Sequence, residues 1–204
     1  MTIYPERASP GEVHRILIGA VVPRPIAFVS TVSAEGIFNV APFSFFNAVC
    51  SDPPVFCFAV ARSSSRGPGG RKDTLANIEA TGEFVVNIVS EDFAVQMNRT
   101  AGDYPAEVDE FTLSELTPVK SQFVKPPRVG QSPVNFECKL TKNILVSDRP
   151  NGSNLILGEA VCIHVDEKIL EGNRIDPDRL RAIGRMGGIS YVRTGDRFEL
   201  LRPK

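Results

Sequence analysis

Short runs of β-branched and aromatic residues recur along the chain, and they restrict its fold more than any other feature. Such residues favour strands, and turn formers such as residues 34–36 (AEG) and 148–152 (DRPNG) stand between the runs. The helical patterns do not alternate regularly with the runs, which argues against a parallel βαβ sheet. We predict about six or seven mainly antiparallel strands with peripheral helices, arranged as a barrel. The runs are residues 26–32, 37–40, 55–60, 83–89, 134–146 and 154–165.

One of these runs indicates how the sheet is buried. Residues 55–60 (VFCFAV) are continuously apolar and follow Pro53-Pro54. A run without polar alternation is typical of a strand that is buried on both faces, as in a closed barrel. At 204 residues the chain fits one hydrophobic core. We therefore predict a single domain that covers residues 1–204.

The segments between the runs carry loop and helix signals. Residues 63–70 (SSSRGPGG) predict an exposed loop, and the helix that follows stops at Thr81-Gly82. Shorter helices are predicted over residues 90–98 and 178–181. Residues 101–127 combine charged residues and prolines with scattered apolar positions, which predicts a long surface excursion.

Charge and hydropathy exclude two classes of partner. Lys+Arg number 23 against 24 for Asp+Glu, so the net charge is -1 and no excess of positive charge attracts a phosphate backbone. We predict no nucleic-acid partner. No apolar stretch approaches the ~20 residues that span a bilayer, and the start of the chain lacks a basic segment followed by an apolar run. We expect a cytoplasmic protein with no membrane segment.

The cysteines and histidines do not predict a metal site. The four cysteines form no CxxC pair, and we interpret them as small apolar residues. Cys50 differs from the others, because it falls in a predicted loop beside candidate cofactor residues. His14 is expected on an exposed N-terminal segment and His164 on the polar face of its strand, with no Glu or Asp spaced to complete a site. The motifs of hydrolases, metalloproteases and nucleotide-binding folds are also missing.

Residues 71–74 (RKDT) stand where the first predicted helix begins. A helix N-terminus carries unpaired N–H groups and about half a positive charge, so adjacent cations and a hydroxyl there form an anion site suited to phosphate. The alternative is a capped helix with solvated basic residues. Arg and Lys are otherwise unfavourable at a helix N-terminus, which favours the anion site.

Two further segments carry candidate binding residues. Residues 41–50 (APFSFFNAVC) place Ser44 and Asn47 among phenylalanines, the mixture of polar edge and apolar face that a heteroaromatic ring requires. Core phenylalanines with local Ser and Asn backbone bonds are the alternative. In residues 184–191 (GRMGGISY), Arg185 and Tyr191 either line a pocket for an acidic or aromatic substrate or belong to a surface turn.

Taken in order from about Pro23 to Pro203, the segments closely resemble the flavin reductase-like family of FMN-binding split barrels, which includes flavoredoxin-type proteins. Each segment alone is weak, but the ordered set is highly specific. The matching segments are residues 23–31 (PRPIAFVST), 39–54 (NVAPFSFFNAVCSDPP), 71–78 (RKDTLANI), 82–90 (GEFVVNIVS), 97–101 (MNRTA), 109–111 (DEF), 131–138 (QSPVNFEC), 157–166 (LGEAVCIHVD) and 184–188 (GRMGG) with Tyr191.

The resemblance implies a six-stranded antiparallel, Greek-key-like split barrel that dimerises and binds FMN near the dimer interface. Arg185 and Tyr191 are similar to a lid over the flavin. The implied flavin contacts are Ser30, Thr31, Ser44, Phe45, Phe46 and Asn47 for the ring and ribityl chain, Arg71, Lys72 and Thr74 for the phosphate, and Asn98 and Arg99 as a further contact region.

The resemblance also implies the chemistry. NADH or NADPH gives hydride to the bound flavin, and electrons pass to free flavin or another small acceptor, so no catalytic side chain or metal is required. A tightly FMN-bound electron-transfer protein that docks a redox partner is one alternative. A split barrel that has lost its flavin and serves as a binding module is another, although RKDT argues against it. A pyridoxamine-phosphate oxidase-like activity matches the segments less well.

Overall fold

The computed structural model describes residues 1–63 and 70–203. Within them, seven of the thirteen strands join in one antiparallel sheet and the other six form two-stranded pairs. In chain order the strands are β1 (Ala27–Val32), β2 (Phe38–Phe43), β3 (Phe46–Ser51), β4 (Pro54–Ala61), β5 (Glu83–Ile88), β6 (Pro118–Val119), β7 (Arg128–Val129), β8 (Val134–Leu145), β9 (Ser153–Val165), β10 (Leu170–Glu171), β11 (Arg174–Ile175), β12 (Ile183–Arg185) and β13 (Tyr191–Arg193).

The large sheet closes on itself. Its order is β2-β1-β5-β8-β9-β4-β3, so β2 and β3 are its two edges. Only Ser44 and Phe45 lie between these edges in the chain, and so short a link holds the edges side by side. Phe43 on β2 packs on Phe58 of β4 with ring centroids 5.3 Å apart, and Ala59 N donates to Phe45 O at 2.9 Å. The sheet is therefore a barrel whose seam lies at Ser44–Phe45, which we call the seam turn.

The core has two parts that share β1. Ala27 and Val29 face the barrel interior, where they pack with residues such as Phe58 and Phe84. Phe28, on the opposite face of β1, belongs to a second cluster that the segments after β5 cover. Alternate residues of a strand point to opposite faces, so a strand buried on both faces is apolar without interruption. The second cluster contains Ile26, Phe28, Val40, Val89, Phe93, Met97, Phe111, Leu116, Val129 and Ile183.

The helices lie outside the barrel, as predicted. The stop of α2 follows a local signal, because Gly82 adopts φ 69° and closes the helix at the predicted position. Among the described residues, none of the helices has the length and apolar character needed to cross a bilayer. The helices are α1 (Pro10–Ala20), α2 (Asp73–Thr81), α3 (Ala94–Arg99), α4 (Glu110–Leu113) and α5 (Pro177–Leu180), with single 3-10 turns at Glu91–Phe93 and Glu167–Ile169.

The mainly β, antiparallel split-barrel fold is confirmed, with two corrections to the strands. The main sheet has seven strands rather than six, because the segment predicted as a loop around Cys50 is strand β3. It pairs with β4 through a bulge near Ala48, and Cys50 is exposed at this edge. The run at residues 55–60 is also less buried than predicted, since Val55 and Cys57 on the outer face of β4 are half-buried.

Three more predictions differ from the structure or lie outside it. The N-terminal segment that holds His14 is a helix, α1, although His14 itself is exposed as expected. Residues 101–127 are not a surface excursion alone, because Phe111 and Leu116 enter the second core cluster. The exposed loop predicted at residues 63–70 lies mostly outside the described residues.

Candidate functional site

A buried arginine holds the seam turn in place. Arg24 is 5% exposed, and its guanidinium donates to Ser44 Oγ at 3.3 Å. It also donates to the carbonyl oxygens of Ile18 at 2.7 Å and Val21 at 2.8 Å, which end α1, and to Met186 O at 3.1 Å. A helix C-terminus leaves carbonyls unpaired and favours a cation. Arg24 therefore joins α1, the seam turn and the β12–β13 hairpin at one point.

An apolar cleft of about 460 Å³ opens beside the seam turn. The Phe45 ring forms one wall, and its centroid lies 6.0 Å from Arg24 Cζ. Apolar walls with a few polar atoms are what a planar heteroaromatic ring needs, since the walls cover its faces and the polar atoms meet its edge. The lining residues are Leu17, Val21, Pro23, Arg24, Pro25, Ser44, Phe45, Phe46 and Asn47.

A smaller polar cavity of about 70 Å³ lies at the start of α2. Lys72 is the N-cap residue of α2 and lines this cavity, which places a cationic residue at the helix N-terminus. The two cavities adjoin in the chain, because Phe43 lines the polar cavity and Ser44 lines the apolar cleft. The polar cavity is lined by Asn39, Ala41, Pro42, Phe43, Lys72, Asp73, Thr74, Thr100, Ala101, Gly102, Asp103 and Glu110.

A buried hydrogen-bond network lies beneath the polar cavity, with Asn39 at its centre. Asn39 Oδ1 accepts from Thr74 Oγ1 at 2.9 Å and from Thr31 Oγ1 at 3.1 Å. Asn39 Nδ2 donates to Glu110 Oε1 at 2.8 Å, and Asn77 Nδ2 donates to Thr31 Oγ1 at 3.0 Å. The network connects β1, β2, α2 and α4, and so it fixes the start of α2 against the barrel.

Glu110 is the carboxyl group of this network. The residue is 5% exposed, and among the described residues its Oε2 atom has no hydrogen-bond partner. Burial raises the pKa of the Glu110 carboxyl to about 7, and the nearby charge of Asp73 acts in the same direction. A carboxyl group that changes charge near neutral pH therefore lines a cavity that also holds Lys72.

Comparison with known proteins identifies the family of this barrel. Residues 16–180 match the flavin reductase like domain. The chain belongs to the flavin reductase-like family. Membership supports flavin-related oxidoreductase chemistry and a flavin cofactor, and it confirms the resemblance that the ordered segments predict.

Solved structures of this family have the same fold. Nitrilotriacetate monooxygenase component B from Bacillus cereus is 35% identical with a TM-score of 0.92, and the similarity covers 98% of each chain. The 2-nitrobenzoate 2-nitroreductase of Pseudomonas fluorescens is 32% identical with a TM-score of 0.86, covering 100% of this chain and 96% of that one. Flavoredoxin of Desulfovibrio vulgaris, at 24% identity and a TM-score of 0.71 over 88% and 91% of the two chains, shares the fold.

The structure brings together two groups of the residues that the family resemblance implies for flavin. Lys72 and Thr74 line the polar cavity, as expected for the phosphate end. Thr74 is buried and already donates its hydroxyl proton to Asn39, so it faces a ligand only as an acceptor in this arrangement. Of the residues implied for the ring and ribityl chain, four line the apolar cleft: Ser44, Phe45, Phe46 and Asn47.

Other expected contacts lie elsewhere. Ser30 is fully buried and donates to Pro127 O at 2.5 Å, so it lines neither cavity. Thr31 is equally buried and reaches the polar cavity only through Asn39. Arg71 forms an ion pair with Glu79 along α2. Arg99 pairs with Glu115 across 3.1 Å.

Asn98 and the two lid residues form a surface row. The Tyr191 hydroxyl donates to Asn98 Oδ1 at 3.1 Å, and Arg185 Cζ lies 4.5 Å from the Tyr191 ring centroid. Arg185 is also tied to the seam, because its backbone N–H donates to Arg24 O at 2.8 Å. The Arg185–Tyr191 pair thus lies on the β12–β13 hairpin, and backbone hydrogen bonds join this hairpin to the buried Arg24.

Sequence reasoning missed three residues of the site: Arg24, Asn39 and Glu110. Each lies inside a segment that matches the family, namely residues 23–31, 39–54 and 109–111. The available signal was a charged or amide side chain within an apolar or strand-like segment, because such a group is buried only with partners. The partners themselves are distant in sequence and were not predictable from spacing.

The expectation that no Glu or Asp is spaced to complete a site with the histidines is wrong for His164. His164 Nε2 lies 2.6 Å from Glu137 Oε1 on the neighbouring strand, and Cys162 Sγ lies 3.4 Å from the same nitrogen. Burial raises the pKa of the Glu137 carboxyl. The hydrogen bonds from the backbone N–H groups of Gln122 and Phe123, together with His164, have a larger effect and hold this pKa below its usual range. Both carboxylate oxygens already accept hydrogen bonds, so Glu137 anchors the segment before β7.

Proposed function

We propose that this protein is an FMN-binding oxidoreductase that accepts hydride from NADH or NADPH and passes electrons to free flavin or another small acceptor. The observation that carries the proposal is a pair of cavities whose linings contain the consecutive residues Phe43 and Ser44. A polar cavity with Lys72 at a helix N-terminus suits a phosphate, and the apolar cleft beside Ser44 suits a ring system. One elongated ligand with both features spans the pair.

The residues present fit a flavin mononucleotide. Lys72 and the start of α2 would hold the phosphate, while Phe45, Phe46 and the backbone of the seam turn would hold the ring. When bound, the flavin supplies the hydride-accepting and electron-releasing chemistry. The role of the chain is therefore to bind and orient the flavin, and this role requires no catalytic triad.

The positions of individual side chains support distinct roles in orientation. Arg24 holds Ser44, so the backbone N–H groups of the seam turn keep fixed directions toward the ring edge. Lys72 provides a charge-assisted bond to the phosphate. Tyr191 and Arg185, stacked on the hairpin that Arg24 anchors, would cover the exposed side of the ligand and exclude water.

The named neighbours support electron transfer to a second molecule. At 35% identity, one is a component of nitrilotriacetate monooxygenase, and at 32% identity another is a 2-nitrobenzoate 2-nitroreductase. We therefore place this protein among oxidoreductases that serve an acceptor outside their own barrel. A tightly held flavin that serves a docked redox partner is the competing form of the same chemistry.

We further propose that the single-domain subunit forms a homodimer in the cytoplasm. Apolar side chains on the outer face of the sheet support the dimer, because Val49, Val161 and Ile163 are exposed there and Val55 and Cys57 are only half-buried. All four cysteines are free, which suits a reducing compartment. Sedimentation equilibrium tests the dimer, and a monomer at micromolar concentration would contradict it.

An absorbance experiment tests the proposed function. The purified protein is mixed with FMN, excess ligand is removed by gel filtration, and NADH and then NADPH are added without oxygen. We expect retained flavin bands that bleach with at least one nicotinamide, followed by steady reduction of added free flavin. Bleaching without reduction of free flavin would favour the tightly bound electron-transfer protein. No binding in an equilibrium titration would favour the binding module without flavin.

A further inference from the structure

The polar cavity contains a carboxyl group that the proposed function does not use. Glu110 lines the cavity, yet the residue is only 5% exposed. It begins helix α4, whose next residue, Phe111, belongs to the second core cluster. Its Oε1 atom accepts from Asn39, and among the described residues its Oε2 atom has no hydrogen-bond partner. A buried carboxylate with an unpaired oxygen is costly, whereas the neutral acid is less so. The cavity therefore favours a protonated Glu110.

Glu110 is one side chain away from the start of α2. Asn39 accepts from Thr74 at 2.9 Å and donates to Glu110 at 2.8 Å, so its amide bridges the helix N-terminus and the carboxyl group. A phosphate in this cavity of about 70 Å³ would lie beside Glu110, which is one of its lining residues. A phosphate and an ionised carboxylate that share so small a cavity repel each other.

The other charged groups around the cavity partly offset one another. The start of α2 contributes Lys72 and Asp73, and the loop after α3 contributes Asp103. On the α4 side, Asp109 caps the helix by accepting from Phe111 N and Thr112 N. The β2 strand contributes the uncharged Asn39. Among the described residues, one cation and three other carboxylates surround the cavity, which leaves little positive charge to neutralise an ionised Glu110 and a phosphate together.

We propose that Glu110 couples flavin binding to proton uptake, so that the site accepts the flavin phosphate with Glu110 neutral and releases it more readily as Glu110 ionises. This inference rests on the proposed function, since it concerns the ligand of the same site. It makes Glu110 a positioning residue that tunes affinity for a phosphorylated flavin.

The pKa of Glu110 in the absence of a ligand agrees with this geometry. Burial, with Asp73 as a further contributor, raises the pKa of Glu110 to about 7 before any ligand is present. A bound phosphate adds negative charge and raises the pKa further. Linkage then requires the flavin affinity to fall with increasing pH above about 7, by at most about tenfold per pH unit until the pKa of the complex is reached.

The test compares dissociation constants for wild type and Glu110→Gln from pH 6 to pH 8.5. The glutamine keeps the shape of the neutral acid and cannot ionise. For FMN we expect the wild-type constant divided by the variant constant to be about one at pH 6 and to reach roughly tenfold at pH 8.5. The ratio cancels the ionisation of the flavin phosphate itself. For riboflavin, which lacks the phosphate, the ratio should stay within about twofold.

Glu107→Gln is the matched control, because it removes one carboxylate from an exposed position in the segment just before α4. The dissociation constant of wild type for FMN divided by that of Glu107→Gln should not change with pH. A second measurement uses wild type alone: calorimetric FMN titrations at pH 8 in two buffers of different ionisation enthalpy report proton uptake, which we expect to be measurable with FMN and absent with riboflavin. This measurement keeps the test decisive if Glu110→Gln does not fold.

The outcomes separate the two proposals. If FMN binds and the ratio is flat, or if no proton is taken up, Glu110 has no such coupling and the proposed function is unaffected. If neither protein binds FMN at any pH, the coupling and the proposed function are both wrong.

Discussion

The guanidinium of Arg24 donates to Ser44 Oγ over 3.3 Å, although twenty residues separate the two along the chain. The same group satisfies carbonyl oxygens at the end of α1 and at Met186, so one side chain sets both the seam turn and the base of the hairpin. The position of the seam turn relative to the cavities therefore depends on the buried Arg24. Among the described residues, its hydrogen-bond acceptors are a hydroxyl and three carbonyl oxygens, and none is a carboxylate.

Arg24→Ala should destabilise the fold and weaken flavin binding together. Removal of the guanidinium leaves three part-buried hydrogen bonds to carbonyl oxygens unmade, and we expect a loss of about 2 to 4 kcal/mol in the free energy of unfolding. Urea denaturation measures this loss. Arg15→Ala is the control, because Arg15 is an exposed arginine on α1, and it should change stability by less than about 0.5 kcal/mol. Equal effects of the two substitutions would contradict the anchoring role of Arg24.

Lys72→Ala should weaken FMN binding by about 1 to 3 kcal/mol, because it removes a charge-assisted bond to the phosphate. Fluorescence quenching of FMN measures the dissociation constant. Riboflavin affinity should change much less, since that ligand has no phosphate.

Arg71→Ala is the matched comparison for Lys72→Ala. It removes the same charge one residue earlier, but Arg71 is paired with Glu79 on the side of α2. We expect its effect on FMN affinity to be the smaller of the two. An effect of Arg71→Ala that exceeds that of Lys72→Ala would place the phosphate elsewhere.

Glu110 should also give the stability of the unliganded protein a distinct pH dependence. Its pKa rises from an ordinary value of 4.5 to about 7 on folding, so the unfolded chain ionises first as pH increases. The free energy of unfolding attributable to this residue therefore falls between about pH 4.5 and pH 7 and is level above that range. The urea midpoint should therefore fall more between pH 5 and pH 8 for wild type than for Glu110→Gln. Identical pH profiles would show that Glu110 is not perturbed.

The Arg185–Tyr191 pair predicts different effects for its two members. Tyr191→Phe keeps the ring beside Arg185 and removes only the hydroxyl bond to Asn98, so we expect less than about a twofold change in KM for the nicotinamide. Arg185→Ala removes the cation that stacks on the ring, and we expect KM to rise about three- to tenfold. Steady-state kinetics with each nicotinamide measures both. A larger effect of Tyr191→Phe would assign the substrate contact to the hydroxyl group.

Local sequence signals predicted the elements that depend on local interactions. The strand runs, the Gly82 stop of α2 and the helix after Ser90 all match the structure to within a few residues. The missed α1 carries such a signal as well, because Ser9 caps it and accepts from Glu12 N at 3.2 Å, with Pro10 in the first turn. Strand β3 was missed since its residues look like a loop until β4 pairs with them.

The candidate site was only partly predictable for a related reason. Lys72 and the segment from Ser44 to Asn47 reach the cavities because the backbone places them there directly. Arg71 is adjacent to Lys72, yet its side chain forms an ion pair with Glu79, a partner eight residues further along the chain. Glu110 acquires its role from Asn39, which is 71 residues distant.

The sequence by itself determined most strands of the main sheet, the stop of α2, the mainly antiparallel sheet and the family, because these follow from residue type and ordered motifs. The tertiary structure alone decided that β2 and β3 meet at a seam and that Asn39, Lys72 and Glu110 share one cavity. It also decided that Arg24 is buried among carbonyl oxygens and that His164 meets Glu137. Burial and long-range hydrogen bonds set the charge and direction of each polar group, and both arise only when distant segments pack together.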